Sequence, residues 1–89
     1  MAKFVNAQQM AKDHPNTFEA PLQKDLDAIK VGSYVKICVE PERFWVKVTA
    51  RQDDNLTGEI NNDLIASDSH GLFCDMTVEF TVDNIYQID

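Results

Sequence analysis

A segment of alternating side chains at residues 42–50, Glu-Arg-Phe-Trp-Val-Lys-Val-Thr-Ala, constrains the fold more than any other part of the chain. A period of two is typical of a β-strand with one buried and one exposed face. The row predicted to face the core is Phe44, Val46, Val48 and Ala50. The opposite row begins with Trp45, the only tryptophan, and continues with Lys47 and Thr49. We therefore expect this strand to supply both core and surface.

Further segments have strand patterns, and short turns separate them. The predicted strands are Tyr34–Val39, Arg43–Arg51, Leu56–Ile60, Met76–Val82 and Ile85–Ile88. Pro41, which cannot continue a strand ladder, and the Asp- and Asn-rich segment 52–55 are typical of the turns between them. Such spacing predicts a small five-stranded antiparallel SH3-like barrel, or a rolled sheet. An OB-type barrel fits less well, because no helix pattern lies between the third and fourth strands.

The N-terminal third of the chain has helical patterns instead. Asn6 is a predicted N-cap, with Gln9 as its capping-box partner, for a helix over residues 7–12. A second helix is predicted at residues 21–29, beginning at a proline that suits the first turn. Its apolar face would consist of Leu22, Leu26 and Ile29. Both helices are short, so tertiary contacts must stabilise them.

Together these patterns predict a single α+β domain that is mainly β. A helical preamble at residues 1–30 is expected to pack on a barrel of residues 31–89. The long connection after the third strand is expected to be a loop. The residues predicted to hold that loop to the core are Leu64, Ile65 and Leu72. On the fourth strand, the predicted inward row is Met76, Val78, Phe80 and Val82.

The charge of the chain is strongly uneven. Its 89 residues have a formal net charge of −7, and no Lys or Arg follows Arg51. The carboxylates beyond that point are Asp53, Asp54, Glu59, Asp63, Asp68, Asp75, Glu79, Asp83 and Asp89. This distribution argues against general nucleic-acid binding, which needs a net basic footprint. It is compatible with a solvated acidic face or with a basic partner.

The sequence also indicates a compartment. No apolar run approaches the length of a transmembrane helix, and the N-terminal residues lack the apolar core of a signal peptide. We therefore expect a cytoplasmic protein without membrane contact. In a reducing cytosol, Cys38 and Cys74 are predicted to be buried or half-buried free thiols. A disulfide is the less favoured alternative, and a cysteine nucleophile is weaker still, because no base can be placed beside either thiol.

From Val31 onward, the order of motifs resembles that of a family of small, mostly bacterial, uncharacterised domains. The matching segments are Gly-Ser-Tyr-Val-Lys at 32–36, Phe-Trp-Val-Lys-Val-Thr at 44–49, Gly-Glu-Ile-Asn-Asn-Asp at 58–63, His-Gly-Leu at 70–72 and Val-Asp-Asn-Ile at 82–85. Two positions depart from the pattern: Ser33 replaces an Asp, and Asp75 replaces a Gly whose turn geometry Asp can also adopt. The resemblance implies a fold and no activity, so no site residue is carried over.

The first candidate site is a surface strip on the outer face of the first two strands. Its members are Tyr34, Lys36, Trp45, Lys47 and Arg51. Aromatic and basic side chains on a small barrel are typical of surfaces that bind extended peptides, modified side chains or single strands. The favoured alternative is that the preamble folds over this face and buries Trp45, because large exposed apolar patches are uncommon on soluble monomers.

The second candidate site is a polar loop after the third strand. Its members are Asn62, Asp63, Asp68 and His70. Oxygen ligands with a histidine could hold Ca²⁺ or Mg²⁺, although no EF-hand spacing or paired-histidine motif is present. Turn chemistry, in which Asn and Asp side chains bond their own backbone, is the favoured interpretation. We expect no metal and no cofactor.

Catalysis is a weaker possibility in the same loop. Cys74 with His70, or Ser67 with His70 and Asp68, could be written as a nucleophile and base. Residues this close in sequence seldom form a triad, because its members usually come from separate elements.

The sequence therefore favours a non-enzymatic binding module with a protein or peptide partner. The alternative is an acidic inhibitor, or nucleic-acid mimic, that binds a basic protein. A small hydrolase is the third hypothesis.

Overall fold

The computed structural model describes residues 4–16, 18–40, 42–65 and 67–89. The α-helices within them are α1 (Ala7–Asp13), α2 (Gln23–Asp27) and α3 (Ser67–His70). The strands are β1 (Tyr34–Val39), β2 (Glu42–Gln52), β3 (Asn55–Ile60), β4 (Thr77–Thr81) and β5 (Gln87–Ile88). A 3₁₀ turn, Val82–Asn84, joins β4 to the last segment. None of the helices in this part of the chain is both long and apolar enough to span a bilayer.

The strands form one antiparallel sheet in the described residues, with the order β4-β3-β2-β1-β5. The sheet does not close, so β4 and β5 are its two edges. This confirms the predicted five-stranded α+β fold in its rolled-sheet form. The long strand β2 lies at the centre and pairs with both hairpin neighbours, β1 and β3.

A β-bulge in β2 shifts the alternation of inward and outward side chains by one residue. Val48 pairs with Gly58, but Ala50 pairs with Thr57, so Thr49 is one extra residue on this strand. An extra residue shifts every later side chain to the opposite face. Ala50 is consequently exposed, and the prediction that it belongs to the core row is wrong. The other three members of that row, Phe44, Val46 and Val48, are buried as predicted.

The same bulge gives Arg51 a structural role that the strand pattern did not show. Arg51 pairs with buried Leu56 across the sheet. Its Nη1 donates to the carbonyl oxygens of Leu26 at 2.7 Å and Ile29 at 2.8 Å, at the C-terminal end of α2. Carbonyls at and just after a helix end have few backbone partners, and here the guanidinium supplies a donor to both, in addition to the Ile29 N–H that donates to the Leu26 carbonyl at 3.3 Å. Arg51 thereby ties the preamble to β2 and does not lie on the predicted surface strip.

The core lies inside the rolled sheet and includes residues from the preamble. Leu26 and Ile29 join the strand residues in one large apolar cluster, and Phe4 packs against it with edge-to-face contacts to Phe44 and Phe80. Leu22 is 57% exposed, because α2 begins at Gln23 and leaves that residue outside the helical face. The predicted inward face of the second helix is therefore correct for two of its three members.

The connection between β3 and β4 differs from the predicted loop in two respects. It contains the single-turn helix α3. Leu64 and Leu72 contact the core as predicted, but Ile65 is 96% exposed. Met76 is also exposed, because the preceding Asp75 has a φ of 72° and the turn ends before β4 begins at Thr77. The positive φ fits the expectation that Asp75 occupies a turn geometry usually given to glycine.

The first helix begins as predicted. The Asn6 side chain accepts a hydrogen bond from the Gln9 backbone N–H at 2.9 Å. The Gln9 side chain instead donates to Asp13, one turn further along. Just before this helix, the Val5 N–H donates to the Cys38 carbonyl, and Asn84 donates to the Val5 carbonyl. Val5 is thus hydrogen-bonded both to the end of β1 and to the 3₁₀ turn.

We predict that Gly58→Ala destabilises the protein. A Cβ at position 58 would clash with Val46 Cγ1 and would lie 2.7 Å from the Lys47 carbonyl oxygen, which cannot move without breaking the sheet. Overpacking of this kind costs about 1–3 kcal/mol. Urea unfolding should show the loss, whereas Thr57→Ala, one position earlier on β3, should change the free energy of unfolding much less. Equal stability of the two variants would contradict this account.

Candidate binding surface

The outer face of β1 and β2 holds two rows in which a lysine stands opposite an aromatic residue. Lys36 pairs with Trp45, and Tyr34 pairs with Lys47. These four residues are called the outer-face strip below. The Lys36 Nζ lies 4.9 Å from the centroid of the Trp45 ring, which is within the range of a cation–π interaction. The structure therefore brings together four of the five residues predicted for this surface.

Part of the preamble packs beside the strip. A second apolar cluster in the described residues contains Ala7, Cys38 and Tyr86, with Val5 and Phe18 packed against it. Trp45 is half-buried and belongs to neither apolar cluster of this part of the chain. Val5, Ala7 and Phe18 of the preamble thus pack around Cys38, next to the strip. The Trp45 ring keeps Lys36 as its cationic neighbour.

Arg43 extends the basic character of this face, although it was absent from the predicted strip. It is exposed, pairs with Cys38, and places its guanidinium carbon 4.7 Å from the centroid of the Tyr86 ring. Arg43 precedes Trp45 by two residues, so the strand period alone would have included it. Across the sheet, Lys47 stands opposite Glu59, as expected for cross-strand charge pairing. Glu79, on β4, stands opposite Thr57.

The predicted polar loop is fixed to the start of β2 by His70. Its Nε2 lies 3.1 Å from Glu42 Oε1, and its Nδ1 accepts from the Leu72 N–H at 3.1 Å. An accepting Nδ1 leaves the proton on Nε2, which therefore donates to the carboxylate. The second oxygen of Glu42 accepts from the Ile65 N–H at 2.8 Å. One carboxylate thus holds both ends of the loop segment 65–70.

Asn62 holds the beginning of the same loop. Its Oδ1 accepts from the Trp45 N–H at 2.6 Å, and its Nδ2 donates to the Asp63 carbonyl. Beyond the last strand pair, Val46 and Ile60, the Asn61 N–H donates to the Trp45 carbonyl at 2.9 Å, and the Asn62 side chain supplies the acceptor for the Trp45 N–H. The bond to Asp63 is the turn chemistry favoured from the sequence, whereas the bond to Trp45 joins the loop to β2.

In the described part of the loop, Ser67 and His70 are hydrogen-bonded to other groups and not to each other. The His70 side chain is 3% exposed and both ring nitrogens have partners. The Ser67 hydroxyl donates to the Leu72 carbonyl at 2.7 Å rather than to the histidine. Asp63 is exposed on the turn, and the Asp68 side chain lies outside the described atoms. Within the described residues, no three His, Cys, Asp or Glu side chains are placed to hold a metal ion.

The two cysteines are both free thiols, in different environments. Cys38 is buried, as predicted, whereas Cys74 is exposed because it lies in the turn before β4. Burial, and then the nearby Glu40, raise the pKa of the Cys38 thiol. Desolvation, and then the Asp75 carboxylate, raise the pKa of Cys74. A nucleophilic cysteine needs a lowered pKa, so neither thiol is activated.

Comparisons with known proteins give no assignment for this surface. No protein-family model, curated protein or solved structure matches the chain.

We predict that Glu42→Gln loosens the loop. The substituted amide can accept from the buried His70 side chain or from the exposed Ile65 N–H with its oxygen, but its nitrogen cannot accept, so one of these two hydrogen bonds to the Glu42 side chain is lost. The expected cost is about 1–3 kcal/mol. Urea unfolding and amide hydrogen exchange at Ile65 and Leu72 would measure it. Glu40→Gln is the matched control, since Glu40 is exposed; equal effects of the two changes would refute the role of Glu42.

The environments of Cys38 and Tyr86 predict that the free energy of unfolding falls at alkaline pH. Burial raises the pKa of Cys38, and burial followed by the Cys38 charge raises the pKa of Tyr86. Both groups are therefore held neutral in the folded state, so their contribution to stability is complete below their ordinary pKa values. It is lost as the pH rises through the raised values. Unfolding measured between neutral and strongly alkaline pH should show this fall, and it should be smaller in Tyr86→Phe. An unchanged pH profile in that variant would contradict the assignment.

Proposed function

We propose that this protein is a non-enzymatic binding module whose ligand surface is the outer-face strip. The observation that carries the proposal is the Lys36–Trp45 pair: a half-buried tryptophan outside both apolar clusters, with an ammonium group 4.9 Å from the centroid of its ring. Tryptophan rings supply large contact areas with few rotatable bonds, and they are enriched where partners bind. Lys47 beside this pair is exposed and adds a second cation.

The spacing of the two lysines favours an extended acidic peptide as the ligand. Lys36 is directly opposite Trp45, so Lys47, two residues further along β2, is its diagonal neighbour across the strands. Such neighbours are about 7–8 Å apart. Alternate side chains of an extended peptide are roughly 6.6–6.8 Å apart, because each residue of a strand rises about 3.3–3.4 Å. A peptide with carboxylates at alternate positions would therefore meet both ammonium groups while its backbone crosses the tryptophan.

The test uses two synthetic peptides blocked at both ends, Glu-Val-Glu-Val-Glu and Lys-Val-Lys-Val-Lys. Because Trp45 is the only tryptophan, its fluorescence reports binding at the strip. The acidic peptide should change the emission in a saturable way, and the basic peptide should not. Lys36→Ala should weaken this binding about two- to fivefold, the range for one exposed ion pair. Lys24→Ala, an exposed lysine on α2, is the matched control and should have no effect.

Two results would overturn the proposal. One is unchanged Trp45 emission at saturating acidic peptide. The other is an equal loss of affinity in Lys36→Ala and Lys24→Ala, because the attraction would then come from the overall charge of the chain and not from the outer-face strip.

A second candidate function, an acidic inhibitor of a basic protein, is supported by the exposure of the carboxylates after β2. The side chains of Asp53, Asp54, Glu59, Asp63, Asp75, Glu79, Asp83 and Asp89 are all exposed. Binding of a purified DNA-binding protein to the immobilised chain should then be displaced by duplex DNA and lost at about 0.5 M salt, where charges are screened within a few ångströms. Binding that survives this salt would contradict an inhibitor that acts by charge.

A further inference from the structure

A groove of about 690 Å³ runs between the preamble and the edge strand β5. One wall is the segment 19–22 with the start of α2, and the other is the segment 86–89, which contains β5. The volume is within the range of about 300–1,000 Å³ that is typical of ligand sites. None of the outer-face strip residues lines this groove.

Both walls are held in place by hydrogen bonds from elsewhere in the fold. On the preamble side, Gln8 Nε2 donates to the Pro21 carbonyl, and Arg51 binds the carbonyls of Leu26 and Ile29. On the opposite side, the N–H groups of Tyr86 and Asp89 donate to β1 at 2.7 and 3.1 Å. A groove whose walls are already ordered requires less ordering when a ligand binds.

The side chains of the groove combine apolar surface with negative charge. Leu22 is 57% exposed beside the groove, and Pro21 and Ile88 are half-buried along it. The charged residues that line the groove are Glu19, Asp25 and Asp89, and no Lys or Arg stands among the described lining residues. All three carboxylates are exposed. The charge complement of this groove is therefore a ligand with Lys or Arg side chains.

We propose that this groove binds an extended peptide segment of alternating basic and apolar residues, which lies alongside β5. An edge strand presents backbone N–H and C=O groups on its free side, and extended peptides add to such edges. Alternation then directs one set of side chains to Leu22 and Ile88 and the other set to the carboxylates. The partner is thus a protein with an exposed basic strand or tail. The proposal does not rest on the outer-face strip, which has the opposite charge.

The test uses the same two blocked peptides, with nuclear magnetic resonance of the labelled full chain. Lys-Val-Lys-Val-Lys should shift the amide signals of Gln87, Ile88 and Leu22 in a saturable way. Glu-Val-Glu-Val-Glu should leave those signals unchanged, whatever it does at Trp45. Because the readouts are at different positions, failure of this proposal is distinguishable from failure of the proposed function.

Variants with exposed side chains test the contacts without threatening the fold. Asp25→Asn should weaken the basic peptide about two- to fivefold, as expected for one surface ion pair. Leu22→Ser should weaken it as well, by removing apolar contact. The matched controls are Asp54→Asn, in the turn between β2 and β3, and Ile65→Ser, an exposed residue outside the groove.

The possible results distinguish binding in the groove from the alternatives. Weaker binding in Asp25→Asn and Leu22→Ser, with unchanged binding in both controls, supports the groove. Shifts of the Gln87 and Ile88 signals that depend on protein concentration without peptide would identify a second copy as the occupant and overturn the proposal. Equal weakening in Asp25→Asn and Asp54→Asn, or no shifts at β5, would also overturn it.

Discussion

The bulge at Thr49 is the constraint on which the arrangement of this molecule depends. After the bulge, the alternation of inward and outward side chains along β2 is shifted by one residue. The part of β2 before the bulge directs Phe44, Val46 and Val48 into the core and Trp45 and Lys47 to the outer face. The part after the bulge directs Arg51 towards the preamble, where one guanidinium nitrogen binds two carbonyls at the end of α2. Without the bulge, Arg51 would face the outer side of the sheet and could not donate to those two carbonyls.

Charge separation over the surface follows from the fold as much as from composition. The outer-face strip and Arg43 gather cations on β1 and β2, whereas the groove beside β5 is lined by carboxylates. Opposite local charges on a small acidic chain can select partners of opposite sign at different places. Exposed ion pairs are individually weak, so selectivity on such surfaces depends on the spacing of charges and on fixed aromatic or apolar contacts beside them.

The loop between β3 and β4 illustrates how polar residues can resemble a site while serving structure. Glu42 accepts from His70 and from the Ile65 backbone, and Asn62 extends the hydrogen bonding of β2 at Trp45. A histidine, carboxylates and amides close together in sequence fit metal binding or catalysis equally well. What distinguishes these functions is the partner of each atom, and the partner of His70 lies on a distant strand. Sequence spacing within the loop contains no information about that contact.

The sequence by itself determined the strands, their order of inward and outward residues up to Val48, the N-cap at Asn6 and the α+β class, because these depend on local period and turn chemistry. It also determined four members of the outer-face strip, since those residues precede the bulge. Tertiary structure alone decided the position of Arg51, the exposure of Ile65 and the groove at β5. Each of these depends on contacts between segments far apart in the chain, or on one extra residue in a ladder. Local patterns cannot reveal either, because a register shift changes no residue type.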